Sequence, residues 1–243
     1  MERIPHIIHY CWFGKKPKPQ LVIDCIETWK AFFPNWEIKE WNEDNYDVRK
    51  IPYIQEAYDA KKWAFVADYA RFDVLYEYGG IYLDTDVEFI KPLPKELLKL
   101  KGFTGFECTG IVAPGLIFAV EKKFPILKEI INQYQTEHFE VRTDGIYKTV
   151  NLHVTEILQQ KGLKTNNTLQ EVAELTIFPS EYFCGYDTDI HEPDITEKTI
   201  CWHHYFASWS KEPVKTKIQK IVKKVLGKNN YKKLLFFKRR LVK

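Results

Sequence analysis

Residues 79–88 read GGIYLDTDVE. Two glycines, a usual C-terminal stop of a helix, precede an apolar run that ends in two aspartates one residue apart. The run predicts a buried strand over residues 81–87. Because side chains alternate between the faces of a strand, Asp84 and Asp86 are expected on one face, at the strand's exit. Open α/β sheets bind ligands at this end of their strands.

The segments around this strand alternate between strand and helix patterns. Strands are predicted near residues 6–13, 36–41, 102–106, 116–120, 175–178 and 199–206, and helices from residue 19, from residue 53, and over residues 62–78, 124–135 and 149–160. This alternation predicts an α/β fold with a mainly parallel central sheet flanked by helices.

The distribution of charge divides the chain into two parts. The 243 residues are 45% hydrophobic and carry a net charge of +3. Residues 211–243 contain thirteen basic residues and one acidic residue, a net charge of +12, whereas residues 1–210 contain 23 basic and 32 acidic residues, a net charge of −9. We therefore predict an acidic catalytic domain over residues 1–210 and a basic tail over residues 211–243.

The cysteines and the apolar runs indicate the cellular compartment. Five widely spaced cysteines with no CxxC pair predict buried thiols, without a disulfide framework or a thiolate zinc site. No run approaches the roughly 18 apolar residues of a membrane span, and the first residues lack the apolar segment of a secretory signal. A cytoplasmic protein is expected.

Two pairs of polar residues are suited to chemistry. Asp84 and Asp86 would repel each other unless a divalent cation lay between them, although a solvated surface turn is the alternative. Asp68 and Arg71 stand three apart on the preceding helix, where they form either a local ion pair or a clamp for sugar hydroxyl groups.

Four segments resemble landmarks of glycosyltransferase family 32 and occur in the same order as in that family. They are IPHIIHYCWFG (residues 4–14), ADYARFDVLYEYGGIYLDTDVEFIKPL (67–93), FPSEYFCG (178–185) and WHHYFASW (202–209). This family of DXD-containing sugar transferases includes outer-chain mannosyltransferases and enzymes of bacterial surface polysaccharides, and it is related to the catalytic cores of large glucosylating toxins. The resemblance implies a GT-A fold, a nucleotide-sugar donor and Mn²⁺ or Mg²⁺ bound to the donor's diphosphate.

The resemblance also implies a metal site. Asp86 would be a metal ligand, and Asp84 would contribute directly, through water or at the ribose. His204 is expected as the third ligand, and the neighbouring His203 is the alternative; two ordinary strand histidines are also possible.

The donor site follows from the same resemblance. Asp68 and Arg71 would hold the donor sugar, and Trp12 would stack on the nucleobase. The other residues expected near the donor are Tyr82, Ser208 and Trp209. Tyr82 is equally compatible with a place in the core.

The reaction implied is transfer with retention at the anomeric carbon, from a UDP-sugar or, alternatively, a GDP-sugar. The metal would stabilise the leaving diphosphate without a general acid. No acceptor-binding residue is nominated, because Ala113-Pro114-Gly115 and Thr143-Asp144-Gly145 stand where the family commonly has other turns.

The basic tail has apolar residues at helical spacing, in a pattern typical of a helix on an anionic membrane surface. A peripheral protein at the inner face of the cell membrane, with a lipid-linked glycan as acceptor, is therefore expected. The alternative is a helix packed on the catalytic domain. The acidic body argues against nucleic acid as a partner.

Two other function classes remain open from the sequence. Paired aspartates also occur in metal-dependent phosphohydrolases, but that class does not explain Trp12 or the pair of Asp68 and Arg71. A non-catalytic, membrane-associated protein that binds nucleotide sugars is the second alternative.

Overall fold

The structure, a computed structural model, describes residues 1–107, 110–142, 147–187, 192–206 and 227. The strands are β1 (Ile7–Cys11), β2 (Glu37–Trp41), β3 (Gly80–Tyr82), β4 (Val87–Phe89), β5 (Gly102–Gly105), β6 (Phe118–Val120), β7 (Gln170–Val172), β8 (Leu175–Phe178), β9 (Tyr186–Asp187), β10 (Glu192–Pro193) and β11 (Cys201–His203). The helices are α1 (Gln20–Phe32), α2 (Pro52–Asp59), α3 (Trp63–Tyr78), α4 (Pro125–Tyr134), α5 (Val150–Gln159) and α6 (Ser180–Phe183), with a 3-10 helix at Lys95–Lys99.

Seven strands form the central sheet in the order β2-β1-β3-β6-β5-β8-β7. The pairings run β2, β1, β3, β5 and β8 in one direction and only β6 and β7 in the other. Helices cover the sheet on both faces, with α1 on one side and α3 and α4 on the other. This is the Rossmann-like architecture that the GT-A expectation describes, and the predicted α/β fold is confirmed.

The strand predicted over residues 81–87 is wrong in its length. β3 ends at Tyr82, and β4 begins at Val87 in a separate two-stranded sheet with β11. Between them the backbone turns, because the N–H of Val87 donates to the carbonyl oxygen of Asp84 at 3.1 Å. Asp84 and Asp86 therefore lie on a loop, and the alternation of a strand does not orient them.

Other boundaries differ by a few residues, and some short elements were not predicted. The late strand expected at 199–206 is only the three residues of β11. The sequence pattern does not predict β7, β9, β10, α6 or the 3-10 helix, because segments of two to five residues are too short for a hydrophobic period.

The alternation of side chains along β3 divides the interior into two cores. Ile81 points into the core that contains Trp29 of α1, and Tyr82 points into the core that contains α3, α4 and α5. Both faces of this strand are therefore buried, as its continuous apolar run predicts. The indole N–H of Trp29 also donates to the carbonyl oxygen of Val87 at 2.7 Å, so α1 is tied to the segment after the DXD loop.

His9 of β1 is a neutral imidazole within this sheet. Its Nε2 lies 2.8 Å from the carbonyl oxygen of Gly79 and must donate, while Nδ1 accepts from the indole N–H of Trp41 at 3.1 Å. Burial lowers its pKa to about 4, because a second proton would have no acceptor and the charge would lie out of water.

The described residues bear on the remaining expectations only in part. Four of the five cysteines are described, and all four are buried. No helix within the described ranges is long and apolar enough to cross a membrane. Apart from Gly227, the basic tail over residues 211–243 lies outside the described residues, so its boundary stays a prediction.

Candidate active site

The loop that carries Asp84 and Asp86 leaves the sheet at the carboxyl end of β3. β1 runs parallel beside β3, and the N–H of Leu83 donates to the carbonyl oxygen of His9 at 3.0 Å. Trp12, the residue after β1, therefore leaves the sheet at the same edge. This is the edge at which open α/β sheets present their ligand sites.

Asp84 faces a cluster of groups from three parts of the chain. Its Oδ1 accepts a hydrogen bond from the hydroxyl of Tyr82 at 3.2 Å and lies 3.4 Å from Nη2 of Arg71. Its backbone N–H donates to the carbonyl oxygen of Gly115 at 2.8 Å. Tyr82 is thus a buried core residue whose hydroxyl reaches the site, which joins the two roles that the sequence left open.

Gly115 leaves the space that the carboxylate of Asp84 occupies. A Cβ on residue 115 would lie 1.9 Å from Oδ2 of Asp84 and 3.2 Å from Nη1 of Arg71. Sequence reasoning missed Gly115 as a site residue and noted only that its tripeptide departs from the family pattern. Its proximity to Asp84 depends on β6 lying beside β3, about thirty residues away in sequence.

Asp68 and Arg71 form a buried ion pair on α3. Nη2 of Arg71 donates to Oδ1 of Asp68 at 2.8 Å, which is the local ion pair that the sequence spacing allows. The same nitrogen lies 3.4 Å from Oδ1 of Asp84. Burial raises the pKa of Asp68 to about 7, despite the opposing positive charge of Arg71. Burial alone would lower the pKa of Arg71, but the negative charge of Asp84 and its other neighbours outweighs burial and raises the pKa, so the guanidinium stays charged. Nη1 of Arg71 is buried and has no hydrogen-bond partner among the described residues.

Asp86 faces the other end of the loop, toward the segment after β11. Nε2 of His203 lies 2.9 Å from its Oδ1, and the backbone N–H of Phe206 donates to its Oδ2 at 2.8 Å. Burial alone would raise the pKa of Asp86, but the charge and hydrogen bond of His203 and the Phe206 N–H hold it below its usual value. Asp86 is therefore an anionic carboxylate whose two oxygens are held in place.

The structure brings His203, rather than His204, to the DXD loop. Nε2 of His204 lies 2.8 Å from Oε2 of Glu88, which also accepts the indole N–H of Trp202 at 3.1 Å. His203 is the last residue of β11 and its side chain contacts Asp86, whereas His204 follows the strand and its side chain contacts Glu88. The expected metal set of Asp84, Asp86 and His204 is thus not assembled, and no group of three or more His, Cys, Asp or Glu side chains converges within the described ranges.

Trp12 lies half-buried at the sheet edge. Its indole N–H donates to the carbonyl oxygen of Lys16 at 2.7 Å, and Nζ of Lys18 lies 5.9 Å from its ring centroid. This hydrogen bond fixes the orientation of the indole ring. The other two donor residues named from the sequence, Ser208 and Trp209, lie outside the described residues.

Comparison with known proteins relates this site to sugar transfer. A family described as "Glycosyltransferase sugar-binding region containing DXD motif" matches residues 19–103, which include Asp68, Arg71, Asp84 and Asp86. Inositol phosphoceramide mannosyltransferase 1 of Schizosaccharomyces pombe (strain 972 / ATCC 24843) is 27% identical over 204 residues, which are 79% of this chain and 55% of the relative. Inositol phosphoceramide mannosyltransferase 3 of the same organism is 31% identical over 88 residues, 35% of this chain and 24% of the relative.

A solved structure, "PaToxG Glycosyltransferase", is 20% identical with a TM-score of 0.48 and covers 66% of this chain and 70% of that one. The chain spans about half the length of the first curated relative and about a quarter of the second. The family match and the relatives confirm the resemblance to DXD-containing sugar transferases.

Proposed function

We propose that this protein is a divalent-metal-dependent, retaining glycosyltransferase that moves a sugar from a nucleotide sugar to a glycan acceptor. The observation that carries the proposal is the DXD loop itself. One of its carboxylates contacts a buried Asp–Arg pair, and the other is held by a histidine, at the edge of the sheet where an aromatic ring also emerges. The DXD-containing family match covers both aspartates and the Asp–Arg pair.

The residues present fit a cation that completes its coordination with substrate oxygens. Mg²⁺ and similar hard cations are commonly bound through one or two carboxylates plus substrate phosphates, rather than by a cage of protein ligands. Asp86 is anionic at neutral pH, and Asp84 keeps about a third of its side chain exposed, 30%. Asp86 and Asp84 would therefore hold Mn²⁺ or Mg²⁺, and His203 replaces His204 as the histidine beside them. When bound, the cation supplies positive charge to the leaving diphosphate.

Asp68 and Arg71 are proposed to hold the donor sugar. The free Nη1 of Arg71 is a buried donor without an acceptor, and a substrate hydroxyl or phosphate oxygen would satisfy it. Asp68 is kept rigid by its bond to Nη2, so its remaining lone pairs can accept from sugar hydroxyl groups. Gly115 leaves room for Asp84 at this point.

The nucleotide is proposed to lie on Trp12, with Tyr82 beneath the site and Ser208 and Trp209 closing it. A UDP-sugar is the preferred donor. A GDP-sugar is the alternative, because two relatives are named as mannosyltransferases. Retention follows if the acceptor hydroxyl attacks from the face that the diphosphate leaves and gives its proton to the departing phosphate oxygen. The bond to the anomeric carbon breaks as the new glycosidic bond forms, with charge stabilised at the phosphate side.

A membrane lipid or a lipid-linked oligosaccharide is proposed as the acceptor. Two relatives are named for transfer to inositol phosphoceramide, which is a lipid. The basic residues of 211–243 would bring the enzyme to an anionic membrane surface, at the cytoplasmic face.

The test is release of nucleotide from a panel of UDP- and GDP-sugars by the purified protein with Mn²⁺. Wild type is compared with Asp86→Asn and with Asp44→Asn, a control at an aspartate whose side chain is 84% exposed. We expect release from at least one donor, lost with EDTA and with Asp86→Asn and unchanged with Asp44→Asn. Absence of both release and metal-dependent nucleotide binding in the wild type would refute the proposal.

A further inference from the structure

A cavity of about 230 Å³ lies among α2, α3, α4 and the segments that lead into α5. It is smaller than the roughly 300–1,000 Å³ of sites that hold drug-sized ligands, so it fits a single ring rather than a nucleotide sugar. No predicted site residue lines it.

One side chain that lines the cavity carries a buried polar atom with no partner. His153 of α5 is only 4% exposed, and its Nε2 makes no hydrogen bond within the described part of the chain. Its Nδ1 lies 3.9 Å from Oε1 of Glu137, which also lines the cavity. Burial lowers the pKa of His153 to about 4, so the ring is neutral and can exchange one hydrogen bond with a ligand. Buried polar atoms are nearly always paired, so the unpaired Nε2 gives this lining side chain a hydrogen-bonding group that a ligand could use.

Aromatic rings form much of the remaining wall. Phe139 and Tyr147 stack with centroids 5.6 Å apart and an interplanar angle of 8°, and Phe65 lies within 5 Å of both centroids. Tyr53 and Tyr134 pack edge to face at 5.0 Å. Aromatic walls with a few convergent polar groups suit a ligand that has an apolar face and a polar edge.

The charges of the cavity select an uncharged ligand. Two acids, Glu137 and Glu140, belong to the lining, and burial raises the pKa of Glu137. The basic side chains of the lining already have partners, because Lys148 pairs with Glu156 at 2.6 Å, His138 pairs with Glu56 at 2.7 Å, and Arg142 also has an interaction partner. A phosphate would therefore meet two acids and basic groups that are already engaged, whereas hydroxyl groups can bond to both Glu137 and His153.

The cavity lies beside the donor-sugar pair. Besides burial, the negative charge of Asp68 raises the pKa of both Tyr53 and Tyr134. Tyr134 also packs on Tyr69, the residue after Asp68, at 5.7 Å between ring centroids. Asp68 thus connects the cavity wall to Arg71 and, through it, to Asp84.

From these observations we infer that the cavity binds one neutral sugar ring of the acceptor glycan, with its hydroxyl groups on His153 and Glu137 and its apolar face on the aromatic wall. This inference rests on the proposed function, because it assigns the acceptor side of the same site.

The test is binding of methyl α-D-mannopyranoside and methyl β-D-galactopyranoside to the full chain, measured by saturation-transfer NMR with inorganic phosphate as a competitor. The variant is Tyr147→Leu, which removes a half-buried ring of the wall. The control is Tyr182→Leu, which removes a half-buried ring of α6 outside the cavity. We expect at least one glycoside to bind, Tyr147→Leu to weaken it about tenfold, and the control and phosphate to leave it unchanged.

Metal-dependent nucleotide binding is measured on the same samples. Its retention in Tyr147→Leu supports a separate acceptor pocket, and its absence in the wild type would refute the proposed function while the glycoside titration still tests the cavity. The inference is overturned if neither glycoside binds the wild type, if both variants weaken binding equally, or if phosphate displaces the glycoside.

Discussion

Substitution of Gly115 by alanine tests whether the position of Asp84 controls function. The new Cβ would lie 1.9 Å from Oδ2 of Asp84, so the carboxylate must move by about 1.5 Å to reach an ordinary contact of 3.4 Å. Gly115 is not among the residues with positive φ, so its backbone accepts alanine and the effect comes from the methyl group alone. The obstacle is the end of a side chain rather than backbone, which makes movement of Asp84 the least costly response.

The two effects of this substitution differ in size. Stability should fall by no more than about 1–3 kcal/mol, the usual cost of overpacking. Activity should fall about 100-fold, because a displacement of about 1 Å in a reacting constellation has that consequence. The hydrogen bond from Tyr82 to Asp84, 3.2 Å long in the wild type, would be lost.

The assay is metal-dependent nucleotide release, with thermal unfolding measured in parallel. Gly102→Ala is the matched control, because its backbone φ is also not positive and its Cβ would meet the side chain of Val120 at 2.9 Å, away from the site. Both variants should lower Tm, but only Gly115→Ala should lose release. If Gly115→Ala releases nucleotide at the wild-type rate, the position of Asp84 does not control the reaction.

Three further predictions concern the histidines and the core. His9 has a pKa of about 4 in the folded protein against 6.5 in the unfolded chain, so only the unfolded chain takes up a proton here between these pH values. The free energy of unfolding should therefore be constant with respect to His9 above pH 6.5 and fall by about 3 kcal/mol as the pH drops toward 4. Urea unfolding should show a smaller drop for His9→Gln, and an equal drop would contradict the assignment. His203→Asn should weaken Mn²⁺-dependent nucleotide binding more than His204→Asn, measured by calorimetry; the opposite order would restore His204 as the relevant residue. Trp29→Phe removes the bond to Val87 and leaves its carbonyl unpaired, so denaturant titration should show a loss of about 1–3 kcal/mol, and no loss would show that water replaces the indole.

The sequence predicted most of the long elements to within a few residues, because their apolar periods are regular. α3 was expected over 62–78 and runs over Trp63–Tyr78, closed by Gly79 with a positive φ. The strand predicted over 81–87 is wrong in its length because an apolar run does not reveal the turn between Asp84 and Val87, which a contact with a distant residue helps to hold. The N–H of Asp84 bonds to Gly115, which a local pattern cannot indicate.

The candidate site shows the same division. Asp84, Asp86, Asp68 and Arg71 were selected from the sequence because their spacing is local, within one helix and the loop that follows its strand. The structure places the Asp–Arg pair against Asp84, although metal binding itself stays a prediction. The choice between His203 and His204 could not be made in this way, because it depends on how the end of β11 and the residue after it pack against the DXD loop and Glu88.

The sequence alone determined the alternation of helices and strands, the acidic body with its basic end, and the residues that carry the DXD resemblance. These properties are local, since each depends on residue type and on spacing over a few positions. Only the tertiary structure decided that Gly115 makes room for Asp84, that His203 contacts Asp86 and that His153, whose Nε2 has no partner within the described residues, lines a cavity near Asp68. The physical reason is that these contacts join residues far apart in the chain, which only the packing of the sheet and its helices brings together.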